Sequence, residues 1–205
     1  MIERVVAAVA GVIVQGDRDA RTVSASVMTR LFLRRAAADN VLRAGMSAAG
    51  IIAVDQITKY LTRRYIPFNG RVTLIPNFLD LTYVRNTGAA WGIMGGWNSV
   101  LALFSLTVVA VMCMYRHHLV REVGAGVVGV VGGGIIGNLL DRLRLGWVTD
   151  MIDIHLFQYH WPAFNIADAA ICIGVLVYVF RSVRSVSRER RESDEASSDA
   201  PGVTG

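Results

Sequence analysis

VGAGVVGVVGGGIIGNLL, residues 123–140, runs for 18 residues without a charge. A helix needs about 20 predominantly apolar residues, at 1.5 Å each, to cross the roughly 30 Å hydrocarbon layer of a bilayer. The stretch therefore reads as a membrane span, and its neighbours read the same way. Upstream, residues 93–115 supply 23 more without a charge. Downstream, WPAFNIADAAICIGVLVYVF (161–180) is apolar apart from Asn165 and Asp168 near its start. An earlier and weaker candidate is AGMSAAGIIAVDQITKYL (44–61), interrupted by Asp55 and Lys59. The expected fold is an all-α membrane protein with four transmembrane helices.

Composition agrees. Of the 205 residues 53% are apolar and only 18% charged, against about 25% charged in an ordinary soluble domain. The two cysteines, Cys113 and Cys172, lie inside apolar runs, which excludes a disulfide-stapled secreted scaffold. A net charge of +5 comes from arginines beside apolar segments, so anionic lipid headgroups are the expected counter-charge and no nucleic-acid partner is expected.

Orientation follows the bias of basic residues toward the cytoplasm. Fourteen arginines precede the first span, lie between spans two and three, or follow span four; six lie in the other two loops. Both termini are expected in the cytoplasm and both long loops outside. Residues 1–40 form a cytoplasmic arm; its apolar stretch 5–14 is too short to span and is not read as a signal peptide, and an upstream start, with Met28 as the real one, is open. Residues 41–181 form the membrane domain. The tail 182–205, ending SDEASSDAPGVTG, has nothing to pack and is expected to be disordered.

The informative residues are polar ones in apolar surroundings. A central charge costs about 3 kcal/mol on insertion scales, so its retention implies a use. Asp55 and Lys59, four apart, share a helix face and can pair; a structural ion pair and a direct role are both open. Gly129, Gly133 and Gly137 share a face at intervals of four, a pattern for close helix packing. Asn138, Asp141 and Arg142 follow one turn later, the last two as a possible capping pair. Pro162 suits the first turn of a helix, which would set Asp168 a turn and a half inside span four with Asn165 above it.

Two aspartates converging from the ends of the last loop suggest water activation: close carboxylates in a low-dielectric pocket share one proton, so one accepts while the other donates. Asp168 is one member, and the spacing alone leaves Asp141 as a rival partner. His117, His118, His155 and His160 lack zinc-ligand spacing, so no metal or cofactor is expected. No GxSxG nucleophile motif occurs.

DQITKYL (55–61), VRNTGAAWGI (84–93), GNLLDRLRLGWVTDMID (137–153) and FNIADAAI (164–171), in this order, resemble the lipoprotein signal peptidases, or signal peptidase II, bacterial membrane aspartyl proteases. The resemblance covers residues 44–181. It implies a catalytic dyad of Asp150 and Asp168 on the outer face of the cytoplasmic membrane, acting on lipid-modified prolipoproteins. Asn138, Arg142 and Asn165 are implied to hold substrate and order the dyad, with Asp141 supporting, Asp55 and Lys59 in the first-span motif, and Asn86 and Gly88 lining the substrate groove. It also implies a small outward β-sheet from the first loop, consistent with β-prone VTLIP and LTYV. Membrane lipids are the other expected partner, and the chain is expected to act as a monomer. Trp91 and Met151 stand where the family more often has phenylalanine, and the amino-terminal arm has no match in its core. A proton-coupled transporter using Asp55, Lys59 and Asp168 is the alternative, but span two offers only Asn98, Ser99, Ser105 and Thr107 and no internal repeat is visible. A structural scaffold is weaker still.

Overall fold

The computed structural model describes residues 35–88, 96–156 and 159–198. The chain divides into two units, Met1–Leu42 and Arg43–Gly205. Of the first, only helical residues 35–42 are described; the second holds the strands and the remaining helices. The elements are helix α1 (35–65), strands β1 (Arg71–Ile75) and β2 (Leu79–Asn86), helices α2 (Asn98–Met114), α3 (Arg116–Val123) and α4 (Ala125–Leu145), strands β3 (Val148–Leu156) and β4 (Tyr159–His160), and helix α5 (Ile166–Ser198). Trp91 and most of the amino-terminal arm lie outside the described residues.

Helix α4 is the axis of the bundle. Each glycine in a helix interior costs about 1 kcal/mol relative to alanine in water, so this glycine-rich segment is held by its neighbours. A Cβ at Gly133 would lie 2.7 Å from the carbonyl oxygen of Ala48 in α1, and one at Gly134 would lie 2.5 Å from that of Ala167 in α5. Gly137 faces Asp55 Oδ2 at a corresponding 2.7 Å, while Gly174 of α5 receives Val131 of α4. The stripe at 129, 133 and 137 is thus the contact line with α1, as its spacing suggests. Gly146 then ends α4 in the left-handed conformation, φ 84°, its N–H donating to Arg142 O at 3.2 Å.

Among the described residues, α4 and the stretch Ile166–Arg188 of α5 are long and apolar enough to cross a bilayer. α2 joins them as a third only together with α3, from which it bends by 79°. α1 is not among them; Asp55 and Lys59 interrupt it. Four spans are therefore not established by length and apolarity alone. The helix of the second span begins at Asn98, with 93–95 outside the described residues.

One further expectation is corrected. The fourth span begins at Ile166, not Trp161, because the preceding segment pairs with β3: Phe164 exchanges backbone bonds with Ile152 (2.9 and 3.0 Å), and the Trp161 N–H donates to Ile154 O at 2.8 Å. At the far end α5 continues to Ser198, so residues 182–198 are helical. Their Arg, Glu, Ser and Ala extend a helix already nucleated in the span.

The sheet does not come from the first loop alone. It is antiparallel in the order β1-β2-β3-β4, and β3 and β4 come from the connection between α4 and α5, so it ties the two long loops together. Cross-strand partners share a face. Arg71, Thr73, Asp80, Thr82 and Asp153 lie on one face, and Val72, Ile75, Leu79, Leu81, Ile152 and Ile154 on the other. The central residues of the polar face are buried, Asp80 at 2% exposure and Asp153 at 8%, whereas Val72 and Ile75 on the aliphatic face are both 48% exposed. This inverts the arrangement expected of a sheet in water. On the polar face Asp80 pairs with Arg71 and His155, each at 3.1 Å. The Thr73 hydroxyl, then Arg71 and His155, hold its carboxyl below the usual range against the opposing effect of burial.

Candidate active site

Asp168 stands in the first turn of α5, shallower than the sequence suggests. Asn165 precedes the helix: its Oδ1 accepts the Asp168 N–H at 3.0 Å, while Asp168 Oδ2 accepts the Asn165 N–H at 3.3 Å. This is a reciprocal capping box that satisfies two otherwise orphaned donors. A third donor, the Ala167 N–H, goes to Asp55 Oδ1 of α1 at 2.9 Å.

Asp150 arrives from β3, paired across the ladder with Val84. Its Oδ1 accepts from Asn165 Nδ2 at 2.7 Å and its Oδ2 from Asn86 Nδ2 at 3.0 Å. One residue, Asn165, therefore touches both acid groups, the Asp150 carboxylate through its side chain and the Asp168 carboxylate through its backbone N–H. Asn138 Nδ2 donates to Asp168 Oδ1 at 2.7 Å. In all three asparagines the amide oxygen is occupied by a donor: Gly88 N–H for Asn86 (2.9 Å), Lys59 Nζ for Asn138 (2.9 Å) and Asp168 N–H for Asn165 (3.0 Å). Each amide is thereby oriented with its nitrogen toward a carboxylate. Burial first, then the charge of Asp168, pushes the Asp150 carboxyl up to about 7, against the opposing pull of Asn86, Asn165 and Lys59. An acid with that value can give or take a proton near neutral pH.

Behind this pair lies an ionic layer. Lys59, fully buried, reaches Asp55 Oδ2 at 2.8 Å and Asp141 Oδ2 at 3.4 Å. Asp141 also accepts from Gln56 Nε2 (3.1 Å) and from the Thr149 N–H (3.0 Å). The rival partner is thus committed to Lys59, Gln56 and the backbone, and its ion pair is with Lys59 rather than Arg142. Arg142, in the last turn of α4, extends Nη2 to 3.5 Å from Gly88 O and feels the charges of Asp168, Asp150 and Asp141.

Of the ten residues singled out from the sequence, Asp55, Lys59, Asn86, Asn138, Asp141, Asp150, Asn165 and Asp168 form one hydrogen-bonded network, Gly88 joins through its backbone, and Arg142 borders it. Sequence reasoning missed Gln56, which links Asp55, Asp141 and Gly137 O; its signal was an amide beside Asp55 in an apolar helix. It also missed Arg63, whose Nη1 donates to Thr149 Oγ1 at 2.8 Å. Among the described residues no group of three His, Cys, Asp or Glu side chains is arranged to hold a metal ion.

An apolar bundle with two amide-tethered acids at its polar end belongs to the class of membrane-embedded enzymes. Two solved structures, each described as a bacterial membrane enzyme, share the fold. One has a TM-score of 0.66 at 28% identity, covering 71% of this chain and 90% of its own; the other 0.61 at 29%, covering 67% and 90%. The chain belongs to the signal peptidase II family, whose sequence profile matches residues 47–184. It is similar to the lipoprotein signal peptidase of Syntrophotalea carbinolica, 47% identical over 130 residues, 61% of this chain and 81% of that one. That of Thermodesulfovibrio yellowstonii is 39% identical over 134 residues, covering 65% and 90%. That of Nitratidesulfovibrio vulgaris is 39% identical over 149 residues, covering 70% and 90%.

Proposed function

We propose that this chain is a membrane aspartyl endopeptidase that removes the signal peptide from lipid-modified prolipoproteins, cutting before the lipidated cysteine. The observation that carries the reading is Asn165, which donates its side-chain Nδ2 to the Asp150 carboxylate and its backbone N–H to the Asp168 carboxylate. Family membership supports the substrate, and the position of the acids supports the chemistry.

One carboxylate takes a proton from the attacking water as its oxygen bonds to the scissile carbonyl carbon. The protonated partner donates to the carbonyl oxygen; as the C–N bond breaks, the leaving amine takes up a proton, and the pair returns to one shared proton. Asn86, Asn138 and Asn165 hold the oxygens in register. Arg142 and Gly88 border the place where the peptide would lie. α1, α2, α4 and α5 serve as four spans, with α3, which carries Arg116 and Arg121, in the cytoplasmic connection, both termini cytoplasmic, and the sheet and acids on the outer face. The signal helix would lie in the bilayer, so the membrane delivers the bond at a fixed depth.

Purified Asp150→Asn and Asp168→Asn variants, reconstituted with a lipidated prolipoprotein, are expected to fold and to lose at least about a thousandfold in cleavage rate. Wild-type cleavage by either removes that residue from the pair.

A further inference from the structure

Lys59 has three oxygen neighbours, Asp55 Oδ2 at 2.8 Å, Asn138 Oδ1 at 2.9 Å and Asp141 Oδ2 at 3.4 Å. An ammonium carries three donors, so these saturate it. The same three neighbours also reach toward the two acids. Asp55 holds the backbone N–H of Ala167, the residue before Asp168, at 2.9 Å. Asp141 holds the backbone N–H of Thr149, the residue before Asp150, at 3.0 Å. Asn138 donates to Asp168 itself at 2.7 Å. A single cation on α1 is thus connected, through Asp55 and Asp141, to the chain immediately ahead of each acid and, through Asn138, to the carboxyl of Asp168.

Stability alone explains this poorly. Removing an ion pair from water is expensive, and well-packed apolar residues in place of a buried ionic cluster are often as stable or more so. We propose that Lys59 is a positioning residue that brackets Asp150 and Asp168 through Asp55, Asp141 and Asn138, fixing their separation. This rests on the reading of Asp150 and Asp168 as the reacting acids. The charged groups around the bracket are Asp55, Lys59 and Arg63 from α1, Asp141 and Arg142 from α4, Asp150 from β3 and Asp168 from α5. Lys59 is the cation common to Asp55, Asp141 and Asn138.

The test compares pH–rate profiles of wild type, Lys59→Gln and Lys59→Arg on a lipidated prolipoprotein in nanodiscs. Glutamine removes the charge but keeps donors. With the cation gone, ionising the pair is harder, so both limbs of the Lys59→Gln profile are expected to move to higher pH by about one unit. Its kcat is expected to fall by about 100-fold with KM within about threefold, because substrate binding does not involve position 59. Lys59→Arg, which keeps the charge, is expected to keep the wild-type limbs. Unmoved limbs in Lys59→Gln, or a shift equally large in Lys59→Arg, overturn the proposal. If Lys59→Gln fails to fold, the limbs of Lys59→Met, which also removes the cation and leaves Asn138 in place, decide in the same sense. Cleavage surviving in Asp150→Asn or Asp168→Asn would instead sink the dyad itself.

Discussion

Asn86, Asn138 and Asn165 present nitrogen to a carboxylate because a donor already occupies each amide oxygen. Asn165→Asp would replace the donor facing Asp150 with a second charge while keeping a cap at the start of α5. The helix should therefore remain and cleavage fall by about 100-fold or more; circular dichroism and a cleavage assay on one preparation separate the two. Asp150 gives a signed prediction. Its carboxyl stands at about 7 in the folded protein, above the ordinary carboxylate range, so between about pH 4 and 7 the native state binds more protons than the unfolded one and stability from this group falls as pH rises. Asp150→Asn abolishes that slope. The melting temperature of the variant relative to wild type should rise from pH 4 to pH 8, and a constant difference would contradict it. Asp168 was legible as a candidate because a charge in an apolar run stands out. Its proposed partner was not: Asp141 and Asp150 both follow the third span, and the turn at Gly146, with the pairing of β3, separates them in space. Gln56 escaped notice because a neutral amide is cheaper to bury than a charge.

At the scale of elements, the close approach along α4 makes its glycines unequal. Gly133→Ala would drive a methyl to within 2.7 Å of the Ala48 carbonyl, and overpacking of this kind typically costs about 1–3 kcal/mol. Gly126 meets nothing nearer than Ser47 Oγ at 3.8 Å, so Gly126→Ala should leave the melting temperature unchanged or slightly raised. Equal effects at the two positions would contradict the packing described. The glycine period was visible in the sequence because helix geometry is local. The start of α5 was not, since Pro162 suits a helix start yet Trp161–Phe164 is taken by long-range pairing with β3. The membership of β3 was hidden for a related reason: its Asp150, Ile152 and Ile154 alternate with Thr149, Met151 and Asp153, a pattern without a clean polar and apolar face.

For the whole molecule, Cys113 and Cys172 are both exposed on the protein surface, yet each lies on a helix assigned to the bilayer. A membrane-impermeant maleimide should leave both unlabelled in intact proteoliposomes and label both after denaturation in detergent, because alkylation requires a hydrated thiolate. Labelling of Cys172 in the intact bilayer would move α5 out of it. The apolar spans were legible because span length is set by bilayer thickness; the bend between α2 and α3 was not, since no proline or glycine marks it. Finally, the acids lie on β3 and α5, late in the chain, while Lys59 and Asn86, which help to tether them, lie on α1 and β2. A ribosome-bound chain that has inserted only its first helices holds Lys59 and Asn86 and neither acid. On the proposed reading, cleavage therefore waits until the last helix has emerged and docked.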